Sequence, residues 1–482
     1  MKLRELLAGV PICAGSADLE MEISGVSYDS RTTRPGDLFV AMTGFATDGH
    51  QYIAKALANG AAAVLCQRRP AEACAYVQTE DSRRALAVIG GNWFGHPAEE
   101  MTMIAVTGTC GKTTTTYLLK AILEQARGAK VGLIGTNQNM IGSDVIPTER
   151  TTPESFEVQK LFREMADAGC THVVMETSSH ALYLDRVYGV RYDVGIFTNL
   201  TQDHLDFHKT MENYCDAKAI LFRNCVTGVV NADDPWTPRL LKDADCKVMT
   251  YAEQADADLR AENIVLSAGG IAFDAVSGAE RVPIRVNIPG GFMVYNTLDV
   301  LGAALALGIS LEESAAVLEK VPHVKGRVEI VPTPGKDYTI LIDYAHTPDS
   351  MVNVLQTVKK FAKGRTVAVF GCGGDRDRTK RPLMGKAAAD WSDFAVVTTD
   401  NPRTEEPEAI IADILPGFDG SATPYHVVVD RIEAIHWAMD HAETDDVIVL
   451  CGKGHETYQE VNHVKHHMDE REIVADYLSS GR

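Results

Sequence analysis

The sequence predicts a multidomain α/β protein organised around a nucleotide phosphate loop, and three observations carry that prediction. The stretch Val106-Thr107-Gly108-Thr109-Cys110-Gly111-Lys112-Thr113-Thr114 follows an apolar run, Met103 to Val106, and precedes Thr115 to Gln125, where Tyr117, Leu118 and Ile122 give a helical period. Apolar, β-branched runs alternate with helical patterns along most of the chain, the rhythm of a parallel sheet with helices on both faces. Many of those runs end in a polar or glycine-rich cluster, at the sheet edge where α/β folds gather ligands.

Strand, glycine-rich turn, Lys-Thr and helix is the order a phosphate loop requires. Glycines let backbone N–H groups converge on phosphate oxygens. The helix N-terminus adds partial positive charge at the same place. Lys112 reaches for the β- and γ-phosphates and the Thr113 hydroxyl for Mg²⁺. Val106 stands where the longer form of the pattern has its first glycine, so only the shorter G-T-x-G-K-T-T form is present. The flanking strand and helix separate this stretch from an ordinary Gly-Lys-Thr turn. Cys110 occupies a position that tolerates many residues and reads as incidental.

At 482 residues, two to four domains are expected. Apolar residues make up 45% and charged residues 23%, an ordinary globular balance. The formal net charge of −20 argues against a nucleic-acid or membrane-surface partner, while leaving room for anionic ligands at local positive sites. Ten cysteines without a C-x-x-C pair read as reduced thiols of a cytoplasmic protein. The first residues, MKLRELLAG, lack a cleavage signal, and no apolar run approaches the ~18–20 residues of a membrane helix.

Residues 1–98 read as a small α/β domain. Its strands are Ile23 to Ser30, Leu38 to Met42 and Ala61 to Cys66, with a short helix at Tyr52 to Ala58. Asp29-Ser30-Arg31 and the loop Thr43 to Gly49 suit a ligand, and from the residues alone solvated turns are an equal reading. Residues 99–327 carry the phosphate loop and further strands at Val131 to Thr136, His172 to Met175 and Val194 to Thr198. These end in Arg150 to Pro153, Glu176 to His180 and Asn199 to His204. A small antiparallel flap near 262–290 is followed by a helical segment, Gly290 to Leu307. Residues 328–482 repeat the rhythm, with strands at Thr339 to Asp343, Thr366 to Phe370, Phe394 to Thr398 and Val447 to Leu450. Their polar ends form a second ligand edge: Asp343 to His346, Gly371 to Arg376, Thr399 to Arg403 and Gly452 to Glu456.

A metal beside the nucleotide needs oxygen ligands, for which Thr113 and Glu176 are best placed and His204 is a third candidate. Lys218 sits between Ala217 and Ala219 in a helix, Tyr214 to Phe222. Small neighbours suit burial, but a snorkelling surface lysine is the favoured reading of the residues alone.

Taken together, these clusters resemble the Mur ligase family, ATP-dependent amide-forming enzymes of bacterial cell-wall synthesis. The resemblance covers essentially the whole chain, in order, through Gly108 to Thr114, Glu176 to His180, Asn199 to His204, Lys325 to Arg327, Asp343 to Pro348 and Gly452 to Glu456. Tyr28 to Arg31 and Gly371 to Arg376 are similar to the family's tripeptide synthetases, and Asp400-Asn401-Pro402-Arg403 to the members that add meso-diaminopimelate.

The resemblance implies three domains, with the UDP-substrate domain over 1–98, the ATP domain over 99–327 and the amino-acid domain over 328–482. It implies that UDP-N-acetylmuramoyl-L-alanyl-D-glutamate is held by Ser30, Phe45, Ala46 and Thr47 at its UDP end and by Thr151, Thr152, Ser178 and Arg186 at its dipeptide. ATP is expected on Gly108, Thr109, Cys110, Gly111, Lys112, Thr113 and Thr114, with Asn296, Arg327 and Asp343. Mg²⁺ is expected on Thr113, Glu176, His204 and Lys218, the last as a carbamate formed with CO₂. Lys112, Lys218, Glu176 and His204 are the expected catalytic group. meso-Diaminopimelate is expected on Arg376, Asp400, Asn401, Pro402, Arg403, Gly452 and Glu456. Met293 stands where the family often has Asn, and Leu184 where some members have a polar residue. The implied reaction activates the D-glutamyl carboxylate as an acyl phosphate for attack by the amine, in a cytoplasmic monomer. The alternatives are a lysine-adding or folylpolyglutamate-type ligase, and, outside enzymes, an ATP-binding switch.

Overall fold

Short buried runs near the N-terminus pair into a five-stranded sheet in the computed structural model, which describes residues 1–44, 47–148, 150–267, 269–322 and 324–480. The strand order is Ala14–Gly15, Tyr76–Gln78, Ala63–Cys66, Asp37–Val40, Gly25–Ser27. All pairs are parallel except the edge pair made by Ala14–Gly15. A parallel sheet needs both faces covered, and the alternation of side chains supplies two cores. Leu38, Val40, Ala63 and Leu65 pack with Leu3, Leu6, Leu86 and Ile89, while Phe39, Ala41, Val64 and Cys66 pack with Ile53 and Ala56. Helix Ser82–Phe94 is started by the Asp81 carboxylate, which accepts from the Arg83 and Arg84 amides, and stopped by Gly95 at φ +72°.

The chain divides into two compact units. The first is Met1–Ala105 with Ala129–Gly195 and Ile220–Val226, and the second is Val106–Gly128 with Ile196–Ala219 and Thr227–Arg482. Within the first, His172–Glu176 pairs in parallel with Val131–Ile134, and Asn139–Ile141 and Asp144–Ile146 continue as an antiparallel hairpin. Helix Ser155–Asp167 packs on helix Ser82–Phe94, with the Phe94 and Phe156 rings 5.1 Å apart.

In the second unit, helix Lys112–Arg127 packs on helices Phe292–Ala306 and Leu311–Leu318. Its first residue follows Gly111, so it begins at the phosphate loop itself rather than at Thr115. The expected flap is an antiparallel meander of Leu259–Ser267, Gly270–Ser277 and Glu280–Val286. The C-terminal sheet has the order Glu329–Val331, Thr339–Asp343, Val447–Cys451, Thr366–Phe370, Phe394–Val397, Tyr425–Val427, parallel but for its first pair. Leu341, Ala368, Phe370 and Val449 fill one face, and Ile340, Ile342, Val369 and Leu450 the other. Strands Thr339–Asp343 and Thr366–Phe370 fall where the apolar runs predict them. No helix among the described residues is long and apolar enough to cross a membrane.

Two helix starts are tied together by a buried ion pair. Arg431 opens helix Arg431–Asp440 and Glu470 opens helix Glu470–Ser479, and both side chains are fully buried. The guanidinium donates to Glu470 Oε1 through Nε at 2.9 Å and Nη2 at 2.8 Å, and to the Cys451 carbonyl at 2.8 Å. Removing one partner strands the other charge in the core, at a cost of about 3–5 kcal/mol. Arg431→Ala should therefore unfold at markedly lower urea in a tryptophan-fluorescence titration. A midpoint unchanged from the wild type would show that the pair does not hold the helices.

Candidate active site

The phosphate loop is shaped by two glycines and held from several sides. Gly108 has φ +152° and Gly111 φ +90°. A Cβ on Gly108 would collide with the Thr198 hydroxyl, and one on Gly111 with the Asn296 side chain. The Cys110 amide donates to Asn199 Oδ1 at 2.9 Å, and its carbonyl accepts from Thr198 Oγ1 at 2.6 Å and Asn199 Nδ2 at 3.1 Å. The Thr109 hydroxyl donates to the Thr201 carbonyl at 3.1 Å. Below the loop, the Thr115 hydroxyl is 3.0 Å from both oxygens of the fully buried Asp299. Lys112 Nζ curls back to the carbonyls of Gly108 at 3.0 Å and Thr109 at 2.8 Å.

Lys218 is buried, which corrects the snorkelling reading. Helix Met211–Ala219 buries Tyr214, Cys215, Ala217, Lys218 and Ala219, while Asp216 takes the solvent face of that turn. Its Nζ donates to the Gly108 carbonyl at 2.8 Å and lies 4.5 Å from the centre of the Tyr214 ring. Burial, and secondly the nearby Lys112 charge, hold its pKa well below that of an ordinary lysine.

A cavity of about 410 Å³ opens beside the loop, lined by Gly111, Tyr295, Asn296, Arg327, Asp343 and Lys360 among others. Arg327 Nη2 donates to the Thr113 hydroxyl at 2.9 Å, and its guanidinium lies 4.9 Å from the Tyr344 ring centre. Asp343 accepts the amides of Val328 and Ala345, each at 2.8 Å, and burial raises its pKa. The volume, the paired glycines and the cations at one end fit a nucleoside triphosphate. Met293 is buried, and Asn296 Nδ2 lies 3.8 Å from its sulfur.

His204 has φ +55° and its Nε2 is 3.4 Å from Asp203 Oδ2. Lys380 Nζ lies 3.5 Å from the other oxygen of that carboxylate, and His346 Nε2 3.9 Å from Oδ2. Burial opposes ionisation of Asp203, but His204, Lys380 and His346 outweigh it and keep the carboxyl well below its usual range. Nothing in the charge-dense run Asp375 to Arg381 marks Lys380 as buried, with Asp377 and Arg381.

Glu176 belongs to the first unit, whereas Thr113, Lys218 and His204 belong to the second. Its carboxylate is buried and accepts from the Thr136 amide at 2.9 Å and hydroxyl at 2.8 Å. Thr136 also meets the Thr151 hydroxyl at 3.0 Å. Thr152 Oγ1 accepts the Ser178 amide at 3.1 Å, and Arg186 Nη1 donates to the Thr152 carbonyl at 3.1 Å. Thr151, Thr152, Ser178 and Arg186 are thus brought together beside Glu176. Ser30 is buried, with its carbonyl accepting from Asn59 at 2.7 Å, and Thr47 is exposed. Phe45 and Ala46 lie outside the described residues. Among the described residues, no group of three or more His, Cys, Asp or Glu side chains is arranged to hold a metal ion.

At the carboxyl edge of the C-terminal sheet, Asn401 Nδ2 donates to Glu456 Oε2 at 2.9 Å. Gly452, at φ +111°, passes so near Asp400 that a Cβ would sit 2.6 Å from its Oδ2, a buried oxygen with no hydrogen-bond partner. Arg403 follows Pro402 at φ +52° and donates through Nη1 to the Gly374 carbonyl at 2.8 Å, with Nε 3.3 Å from Glu460. Glu405, two positions on from Arg403, is instead taken by Arg381 at 2.8 Å. Arg376 is exposed and donates to the Asp375 carbonyl at 2.9 Å.

Three family models match the chain: the Mur ligase family catalytic domain over residues 22–92, the Mur ligase middle domain over 106–304 and the Mur ligase glutamate ligase domain over 326–454. The chain belongs to the Mur ligase family. It is 48% identical to a Clostridium botulinum UDP-N-acetylmuramoyl-L-alanyl-D-glutamate–2,6-diaminopimelate ligase, over 95% of each chain. It is 47% identical to a Clostridium acetobutylicum protein of the same name, over 99% of each. A solved structure of a ligase of that name matches with TM-score 0.70 at 32% identity, covering 100% of this chain and 99% of that one. The loop and cavity above fall within the middle and glutamate ligase matches of this Mur ligase, and the last strand-end cluster runs just past the latter, to Glu456.

Lys112 opens the helix at the phosphate loop, and its Nζ donates to two carbonyls of its own turn. Lys112→Ala should therefore fold normally, by circular dichroism, while losing ATP turnover by orders of magnitude. Near-normal phosphate release from the folded variant would remove the loop from the chemistry.

Proposed function

We propose that the protein is an ATP-dependent ligase that adds meso-diaminopimelate to UDP-N-acetylmuramoyl-L-alanyl-D-glutamate in peptidoglycan precursor synthesis. The observation that carries this reading is the near-full-length identity to ligases of that name, 48% over 95% of the chain in one case. The residues fit it. Residues 1–98, 99–327 and 328–482 act as UDP-substrate, ATP and amino-acid regions, a division supported by the three successive family matches. The enzyme works as a cytoplasmic monomer on small-molecule substrates.

ATP binds in the cavity at Gly111, with its phosphates on the Gly108–Thr114 amides and Lys112. The D-glutamyl carboxylate, held by Thr151, Thr152, Ser178 and Arg186, attacks the γ-phosphate and becomes an acyl phosphate as the β–γ bond breaks and ADP leaves. The neutral amine of meso-diaminopimelate then attacks the acyl carbon, forming the amide and releasing phosphate. Lys112 offsets the charge that builds at the transferring phosphoryl group. Mg²⁺, when bound, supplies further neutralisation of phosphate charge, and Thr113, Glu176, His204 and Lys218 are the residues offered to it.

Burial depresses the Lys218 pKa and so favours the neutral amine, the form that adds to CO₂. The addition forms one N–C bond, opens one C=O π bond of CO₂ and releases one proton, turning the buried amine into an anionic oxygen donor. Lys218→Ala should lose most activity and regain part of it with added short-chain carboxylates. A fully active Lys218→Ala enzyme would refute the role.

meso-Diaminopimelate differs from lysine by a carboxylate at the far end, and such a group needs a cation once it leaves water. Arg403 supplies a planar fork on a left-handed turn, already aimed by Gly374 and Glu460. Losing a charge-assisted contact costs about 1.5–3 kcal/mol, so Arg403→Ala should raise the KM for meso-diaminopimelate about tenfold or more. The reading is tested by phosphate release from ATP and UDP-N-acetylmuramoyl-dipeptide with meso-diaminopimelate, L-lysine or no amino acid. Only the first should support rapid turnover. Equal rates with L-lysine, or an unchanged preference in Arg403→Ala, would overturn the specificity.

A further inference from the structure

Lys453 follows strand Val447–Cys451, and its side chain is fully buried. Its Nζ donates to Glu456 Oε2 at 2.6 Å and to Asn401 Oδ1 at 2.8 Å, and lies 5.2 Å from the centre of the Tyr458 ring. Asn401 is also fixed from its other end: Oδ1 accepts the Glu460 amide at 2.9 Å while Nδ2 donates to Glu456 Oε2 at 2.9 Å. Glu456 Oε2 thus has two donors, and no hydrogen bond among the described residues uses Oε1.

We propose that Lys453 is a positioning residue for amino-acid recognition, whose ammonium aims and ionises Glu456 so that the free Oε1 receives an ammonium group of the incoming diamino acid. This rests on the assignment of the Asp400–Arg403 and Gly452–Glu456 loops to that substrate. The charge balance supports it. Lys453 carries one positive charge beside two buried or half-buried carboxylates, Asp400 and Glu456. Arg431 also faces Asp400 but is already paired with Glu470. The cluster is therefore left one positive charge short, and an ammonium ligand supplies it.

The groups facing Glu456 are Lys453, Asp400, Asn401, Tyr344 and Tyr458, with Arg403 and Glu460 beyond. Burial raises the Glu456 pKa and Asp400 raises it further, while Lys453 opposes both. With Lys453 neutralised, Glu456 keeps its proton to higher pH and cannot hold a cation until that proton leaves. The affinity lost by the variant should therefore return as pH rises. A lysine that merely clamps the loop would give a loss without that trend.

The test is initial-rate kinetics of full-length Lys453→Met and Lys453→Gln, each substrate varied in turn, from about pH 6.5 to about pH 8.5. The expected result is a KM for meso-diaminopimelate raised about tenfold or more at about pH 7 and falling toward the wild-type value as pH rises. The KM values for ATP and UDP-N-acetylmuramoyl-dipeptide should stay within about twofold. Lys453→Gln retains a donor for Glu456, and serves if Lys453→Met does not fold. Glu456→Gln should raise the same KM without the pH trend. An unchanged KM for meso-diaminopimelate, or equal losses for all three substrates at every pH, would overturn the proposal. If the wild type uses L-lysine instead, the specificity assignment fails by itself. The same readouts with L-lysine then decide this one, because an ammonium contact does not need the second carboxylate.

Discussion

The carbonyl of Gly108 carries the phosphate loop. Two lysines donate to it: Lys112 from the loop's own helix and Lys218 from the buried helix Met211–Ala219. Two ammonium groups on one carbonyl oxygen is an unfavourable crowding of like charge, and burial of Lys218, with the Lys112 charge beside it, lowers the Lys218 pKa. The Thr109 and Cys110 amides, the Cys110 carbonyl and the Thr109 hydroxyl are tied to Thr198, Asn199 and Thr201, which fixes the shape of the loop.

The same economy recurs at the other strand ends. Asp203 is surrounded by His204, Lys380 and His346, and Asp400 and Glu456 share Lys453. In each place a desolvated carboxylate faces cationic side chains, fully at Asp203 and only in part at Asp400 and Glu456. Fixed, dry charges of this kind are what an acyl-transfer site needs, because no solvent must reorganise as the reaction proceeds.

Much of this was legible in the sequence, and the parts that were not have a common physical cause. Strands such as Thr339–Asp343 and Thr366–Phe370 are buried on both faces, so their composition alone delimits them. The phosphate loop was readable because its glycines and Lys-Thr pair are contiguous. Burial of individual lysines was not. Lys218 and Lys453 look like surface residues until the tertiary fold closes over them, and Lys380 sits among charges of both signs. The partner of Arg403 is hidden for the same reason: Glu460 lies on a hairpin 57 positions away, while Glu405 and Glu406 are only two and three positions on in sequence. Sequence proximity ranks candidate ion pairs poorly when an intervening arginine, here Arg381, competes for the nearer carboxylate.

The account stands or falls on which amine the site accepts. The most direct measurement is mass spectrometry of the product formed from UDP-N-acetylmuramoyl-dipeptide, ATP and an equimolar mixture of meso-diaminopimelate and L-lysine. The account predicts a product carrying the diaminopimelyl residue almost exclusively. A lysyl product in comparable amount, or ATP hydrolysis with no amide formed, would contradict it.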